Sequence, residues 1–339
     1  MSDLQSGQVQ SRSYRLNNLV TVQVSGDARY LTYFDNEYGR ICRNSGHESA
    51  PSIVLRIVDR LSGADASELL YKGLFRFRYQ VESLDDVTTV IWFERHWLDN
   101  FYTTAVGAFV QGQLLEPLIY LKLLEQDVLL MHAAGVARDG KAYIFPAHGG
   151  TGKTTLSLSL MQMGYDLLGD DLLMVEADSG LVHPYARPLH LFAYNLRSLT
   201  VPLGVRVAIA AKSLIRRLIH VTTGRKFLIS TRVHADEIMS VRYADVSRLE
   251  KIIFLRQGGD HETFDCADPA HLQKAASLII ASSDLNESLS ANIGLSQSAA
   301  EIEIAVVKRV LSNVSSMLAI NGRAMKTDAD RAVLASEHL

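Results

Sequence analysis

The first hundred residues alternate short runs of β-branched and aromatic residues with polar, turn-prone stretches. Such runs occur at residues 19–24, 53–57, 75–79 and 87–93, and residues 75–79 (Phe-Arg-Phe-Arg-Tyr) place an apolar side chain at every second position. A two-residue period is typical of a strand that buries one face. The pattern predicts a strand-rich N-terminal domain over residues 1–115.

Helical spacing replaces this pattern between residues 100 and 130, where leucines stand at positions 114, 118, 121 and 124. We expect helices here to lead into a second domain, residues 116–325, followed by a polar tail, residues 326–339. Early in that domain two strand-like runs flank Asp139 and Gly140. This dipeptide is a hairpin signal.

Strands and helices then alternate along the second domain, which predicts an α/β fold. A strand runs directly into a glycine-rich loop and an amphipathic helix over residues 153–163, which Gly164 ends. The remaining predicted elements are strands at residues 165–168 and 249–255 and helices at residues 208–221, 269–282 and 299–318.

Composition and charge exclude several classes of protein. The chain has 47% hydrophobic and 21% charged residues, as soluble globular proteins do, and its net charge of −3 offers no basic surface for nucleic acid. No apolar run is long enough to span a membrane, and the first fifteen residues do not resemble a signal peptide. The two cysteines, Cys42 and Cys266, have no metal-ligand spacing. We therefore expect a cytoplasmic protein, either a monomer or a homo-oligomer.

The glycine-rich segment, residues 147–154 (Ala-His-Gly-Gly-Thr-Gly-Lys-Thr), has the spacing of a Walker A phosphate-binding loop with alanine in place of the first glycine. In such a loop, backbone N–H groups surround phosphate oxygens, the lysine reaches the β and γ phosphates, and the threonine hydroxyl binds Mg²⁺. ATP and Mg²⁺ are the expected ligands. The predicted nucleotide-binding residues are His148, Gly149, Gly150, Thr151, Gly152, Lys153, Thr154 and Thr155.

Two adjacent carboxylates, Asp170 and Asp171, follow the predicted strand at residues 165–168. Their charges repel each other unless a cation or a proton relieves them. A metal site that uses Asp170 and Thr154 is the hypothesis that best fits this pair beside a phosphate-binding loop. Two solvated loop aspartates are the alternative.

Three segments together resemble the catalytic domain of HPr kinase/phosphorylase and its relatives: Leu-Met-His-Ala-Ala-Gly ending at Gly135, the glycine-rich loop, and Gly-Tyr-Asp-Leu-Leu-Gly-Asp-Asp ending at Asp171. The loop and the Gly-Asp-Asp sequence are also similar to ATP-dependent phosphoenolpyruvate carboxykinase, which shares that fold. The resemblance is clear over residues 129–187 and weak to residue 255. It implies a P-loop catalytic domain of this type.

The resemblance also implies roles for individual residues. Asp171 would accept the proton of the acceptor hydroxyl, Asp170 would lie beside the metal, and His132 would lie near the transferred phosphoryl group together with Lys153. From the residues alone, a lone histidine after an apolar run such as His132 is more often an ordinary core histidine. Thr155 stands where HPr kinases usually carry glutamate, and residues 182–191 replace the glycine-rich segment linked to phosphorylase activity.

The expected reaction is therefore transfer of the ATP γ-phosphoryl group to a hydroxyl. Relatives of the family include kinases of ribosomally made peptides, so a serine of a protein or peptide is the first candidate acceptor. A small hydroxylated metabolite is the second, and a non-catalytic nucleotide-sensing regulator is a further alternative. A carboxykinase would usually need a much longer chain. Arg187 is either a phosphoryl-binding arginine or an ordinary ion-paired one.

Overall fold

The computed structural model describes residues 10–42, 50–61, 66–71, 75–84, 87–97, 99–191, 203–204, 207, 211, 231–258, 261–294 and 297–321. The chain is a mixed α/β protein with several sheets, as the sequence pattern predicts. It divides into two compact units, one formed by Met1–Lys122 and Leu285–Ser296 and the other by Leu123–Asp284 and Gln297–Leu339. No helix within the described ranges is long and apolar enough to cross a bilayer.

The secondary-structure elements are numbered along the chain. The strands are β1 (Gln10–Leu16), β2 (Val20–Gly26), β3 (Ile53–Val58), β4 (Ser67–Tyr71), β5 (Phe75–Glu82), β6 (Thr89–Glu94), β7 (Val128–Met131), β8 (Ala133–Arg138), β9 (Lys141–Pro146), β10 (Asp166–Gly169), β11 (Leu173–Glu176), β12 (Leu181–His183), β13 (Leu189–Leu191), β14 (Thr231–Val233), β15 (Ser247–Arg256), β16 (Glu262–Phe264) and β17 (Ser316–Asn321). The helices are α1 (Ala28–Tyr38), α2 (Asp99–Val110), α3 (Glu116–Leu124), α4 (Lys153–Gln162), α5 (Ala235–Ile238), α6 (Pro269–Ala281), α7 (Leu285–Ile293) and α8 (Gln297–Ser312), with a π-helical turn, Gln111–Leu115, between α2 and α3.

The first unit is built on a six-stranded sheet in the order β1-β2-β3-β6-β5-β4. Strands β2, β3 and β6 are parallel, and the strands outside them pair antiparallel. Alternate residues of β5, among them Phe77 and Tyr79, are buried, which confirms the predicted two-residue period. Asp27 begins α1 by accepting a hydrogen bond from the backbone N–H of Arg29.

The second unit contains a nine-stranded sheet whose main path is β10-β8-β9-β15-β12-β11-β7, with β17 beside β15 and β16 beside β17. Strands β9, β15 and β17 run parallel. The predicted hairpin is confirmed, because β8 and β9 pair antiparallel around Asp139 and Gly140, whose φ angles are 51° and 75°. Two positive φ angles are the signature of a type I′ turn, which suits the twist of the flanking strands.

Two predicted helical regions differ from the structure. The helix predicted at residues 299–318 ends at Ser312, and residues 316–321 form β17 instead. The helical region predicted to reach residue 130 ends at Leu124, and β7 follows. Both strands are short, continuous apolar runs, and such runs show no period that separates a buried strand from a helix. Apart from residue 211, the helix predicted at residues 208–221 lies outside the described residues, and so does the polar tail.

Candidate functional site

The site lies at one edge of the second unit's sheet, because of the directions of three neighbouring strands. Strand β8 pairs antiparallel with both β9 and β10, so β9 and β10 run the same way and end at the same edge. The glycine-rich loop, residues 147–152, follows β9, and Asp170 and Asp171 follow β10. His132 immediately precedes β8, which begins at that edge. The sheet therefore brings together three segments that are separate in the sequence.

The glycine-rich loop turns through two left-handed residues, Gly150 (φ 78°) and Gly152 (φ 103°), a conformation that residues with a Cβ rarely adopt. The Thr151 hydroxyl donates a 2.8 Å hydrogen bond to the His148 carbonyl across the turn. Thr151 is buried, so its side chain holds the shape of the loop and does not line the cavity beside it.

Helix α4 starts directly after this loop. Gly152 stands at the N-cap and provides no side-chain cap, and the first turn of the helix has no acidic residue of its own, so its positive dipole end faces the loop uncapped. The helix is buried on most sides. It is therefore not amphipathic, which contradicts the prediction from the sequence. Ser157 and Ser159 can be buried because their hydroxyls donate to the Lys153 and Thr155 carbonyls one turn earlier.

A cavity of about 230 Å³ opens beside the loop and the start of α4. Its lining contains most of the residues that the sequence singles out, and it adds one that the sequence does not. The lining residues are His132, His148, Gly149, Gly150, Gly152, Lys153, Thr154, Thr155, Asp170, Asp171 and His190. The predicted catalytic, nucleotide-binding and metal-binding residues other than Thr151 thus share one cavity.

Asp170 is buried in this cavity and only partly hydrogen-bonded. The Thr154 hydroxyl donates a 2.9 Å hydrogen bond to Oδ2 of Asp170, whereas Oδ1 is buried without a hydrogen-bond partner. Burial, with a smaller contribution from the charge of Asp171, raises the pKa of Asp170 to about 7, although the Thr154 hydrogen bond and Lys153 oppose the rise. A bound cation would give Oδ1 of Asp170 a partner and would offset the buried negative charge.

Mg²⁺ fits the residues present, because it takes few protein ligands and keeps several waters. Asp170 and Thr154 offer two adjacent oxygen groups of the kind that this ion prefers. Across the described ranges, no group of three or more His, Cys, Asp and Glu side chains could hold a metal by itself. The site therefore suits an ion shared with a ligand phosphate better than a metal held by protein side chains alone.

His132 connects the lysine of the loop to the second aspartate. Its Nε2 atom lies 2.9 Å from Nζ of Lys153 and 3.2 Å from Oδ1 of Asp171. Its Nδ1 atom contacts the backbone carbonyl of Ser282, which can only accept a hydrogen bond. This contact keeps a proton on Nδ1, and Nε2 is the nitrogen that faces the cavity residues.

Lys153 is itself 8% exposed, and its Nζ atom donates to the Ala147 carbonyl at 2.5 Å. Burial lowers the pKa of Lys153, and the charges of Asp171 and Asp170 act in the opposite direction. An anionic ligand in the cavity would favour the ammonium form further.

The pKa of Asp171 is shifted in the opposite direction to that of Asp170. Burial alone would raise its pKa, but the hydrogen bond and charge of His132, and the charges of Arg187 and His190, outweigh burial and hold the pKa well below its usual range. Arg187 is buried, and its Nη1 atom lies 3.9 Å from Oδ2 of Asp171. Adjacent aspartates whose pKa values are pushed apart are typical of sites where one carboxylate is chemical and the other is not.

From the sequence, Arg187 has two possible roles, and His190 is not singled out. Both follow β12 and lie near Asp171 only because the chain folds back to place β13 there. The one local signal was the presence of two histidines and one arginine within residues 183–190.

Comparison with protein-family models and with curated proteins gives no match to this chain, so the geometry above is what distinguishes between the functions considered for it.

Proposed function

We propose that the chain is an ATP-dependent phosphotransferase of the HPr-kinase-like P-loop type, which transfers the γ-phosphoryl group to a hydroxyl, with a serine of a protein or peptide as the first candidate acceptor. The observation that carries this proposal is the contact of His132 Nε2 with both Lys153 and Asp171, in one cavity with a glycine-rich loop. A phosphate-binding lysine and an ionised carboxylate that contact the same imidazole nitrogen match the two ends of a phosphoryl transfer.

The loop side of the cavity supports phosphate binding. Positive φ angles at Gly150 and Gly152 turn the backbone of the loop, and the uncapped start of α4 adds its positive end. The cavity volume of about 230 Å³ is below the roughly 300–1,000 Å³ of sites that enclose a whole drug-sized ligand. It therefore suits the phosphate end of a nucleotide.

Thr154 and Asp170 are the residues that would hold Mg²⁺. When bound, the ion neutralises phosphate charge that develops as the terminal phosphoryl group leaves. The oxygen Oδ1 of Asp170, which has no hydrogen-bond partner, is the feature of this chain that favours such an ion.

Asp171 orients the acceptor hydroxyl, since its low pKa keeps it ionised and able to accept a hydrogen bond. As the acceptor oxygen forms its bond to the γ-phosphorus and the bond to the ADP oxygen breaks, the hydroxyl proton goes to Asp171. His132 lies 3.2 Å from that carboxylate and presents Nε2 to it, because Nδ1 is already committed to Ser282. Arg187 stays beside the same carboxylate as a fixed positive charge.

The proposal is tested by incubating the purified chain with ATP labelled at the γ-phosphate, Mg²⁺, and two acceptor sets, serine peptides and small hydroxylated metabolites. We expect labelled peptide with the wild-type chain and loss of label with Asp171→Asn. The control is Asp166→Asn, which removes a surface partner of Arg242. Labelled metabolite without labelled peptide would change the acceptor class. Nucleotide binding without transfer to either set would identify a nucleotide sensor and overturn the kinase proposal.

A further inference from the structure

A second cleft lies in the first unit, at the carboxyl ends of its three parallel strands. It has a volume of about 690 Å³ and is formed where β2, β3 and β6 end. Ligands of open α/β sheets bind outside the carboxyl ends of the strands. Its lining includes Gly26, Asp27, Arg56, Asp59, Trp92 and Arg95.

Arg56 is held in this cleft by an aromatic ring and not by an acid. It stands opposite Trp92 in the register of β3 and β6, and its guanidinium lies 4.6 Å from the centre of the indole ring. The indole Nε1–H donates a 3.0 Å hydrogen bond to Glu82, which fixes the ring. Among the described residues, no acidic side chain pairs with the exposed guanidinium of Arg56. A stacked arginine keeps its planar set of N–H donors available for a carboxylate.

Arg95 provides a second positive charge in the same cleft, at present shared between two aspartates. It lies 3.0 Å from Asp59 and 3.7 Å from Asp27. The Asp59 side chain is 88% exposed, and ion pairs of such exposed groups contribute little, so a ligand carboxylate can replace it. Asp27 is different, because it also caps α1 and binds Arg29.

We propose that this cleft binds an acidic peptide segment, with one carboxylate on Arg56 and another in the position of Asp59 beside Arg95. A peptide fits better than a free phosphate group for two reasons. The cleft is about three times the volume of the cavity beside the glycine-rich loop, and no glycine-rich phosphate turn adjoins it within the described residues. Peptide binding at this cleft does not require phosphoryl transfer, so this proposal is tested separately from the kinase proposal.

The experiment uses the full chain without ATP and measures fluorescence anisotropy of a labelled peptide of alternating glutamate and alanine. The matched probe replaces each glutamate by glutamine. We expect binding of the glutamate peptide alone, weakened by added salt, and weaker by about tenfold or more in Arg56→Gln. The control variant is Arg76→Gln, which removes an exposed arginine on β5 of the same sheet and should leave binding unchanged.

Asp59→Asn keeps the test informative if Arg56→Gln does not fold. Removing the competing carboxylate should tighten peptide binding by about twofold or more, a gain that misfolding cannot produce. Equal binding of the glutamate and glutamine peptides, or no effect of either variant, would overturn the proposal. Displacement of the peptide by inorganic phosphate at equal concentration would also overturn it, in favour of a site for small anions.

Discussion

The Nε2 atom of His132 lies 3.2 Å from Oδ1 of Asp171 while the same nitrogen is 2.9 Å from Nζ of Lys153. A single imidazole nitrogen thus stands between the group expected to bind phosphate and the group expected to orient the acceptor. The backbone carbonyl of Ser282 accepts from the other nitrogen, Nδ1, so Nε2 is the nitrogen that faces both groups.

Asp171→Asn should lower the rate of phosphoryl transfer by roughly 10²-fold or more with little change in nucleotide affinity, because the amide keeps the shape but cannot accept the proton. The measurement is kcat for a serine acceptor together with ATP binding by calorimetry. Turnover close to that of the wild type would show that Asp171 is not the base.

Asp170→Asn should instead raise the Mg²⁺ concentration needed for half-maximal activity by about tenfold or more, since an amide oxygen is a weaker partner for a hard cation. Thr154→Ser, which keeps the hydroxyl that bonds Asp170, is the matched control and should change the requirement little. A normal Mg²⁺ requirement in Asp170→Asn, with a raised one in Asp171→Asn, would mean that the two aspartates have exchanged roles.

The sequence predicts the local parts of this site well and the long-range parts poorly. The loop at residues 147–152 and the hairpin at Asp139 and Gly140 depend on glycines, turn residues and flanking apolar runs that are adjacent in the chain. Arg187 and His190 approach Asp171 through the folding of β13 back towards β10, which no local pattern indicates. The first residues of β17, up to Leu318, were predicted as helix because the apolar run from Met317 to Ile320 is buried on both faces and has no period.

The stability of the first unit should depend on pH through Asp27. The hydrogen bonds from the Arg29 side chain and backbone lower the pKa of Asp27 from 3.8 to about 2. A depressed pKa means that the ionised group stabilises the folded state above pH 3.8 and that this contribution is lost as the pH falls towards 2. Asp27→Asn keeps an N-cap acceptor but loses the charge.

We therefore expect Asp27→Asn to lower the Tm of this unit at about pH 5, with the difference from wild type shrinking by about pH 2.5. Thermal unfolding followed by circular dichroism measures the Tm of the wild type and of the variant at both pH values. Asp139→Asn, whose side chain is 90% exposed, is the control and should show no such trend. A difference that is constant or grows on acidification would contradict the role given to Asp27.

We propose that the glycine-rich loop and Lys153 hold the phosphates of ATP, and the change in Tm on adding ATP and Mg²⁺ measures this binding. Ligand at a hundred times its Kd stabilises the folded state by about 2.7 kcal/mol, which a thermal shift detects. We expect a clear shift for the wild type and for Lys141→Ala, which replaces a surface lysine paired with Glu250, and no shift for Lys153→Ala. An unchanged shift in Lys153→Ala would show that the phosphates bind elsewhere.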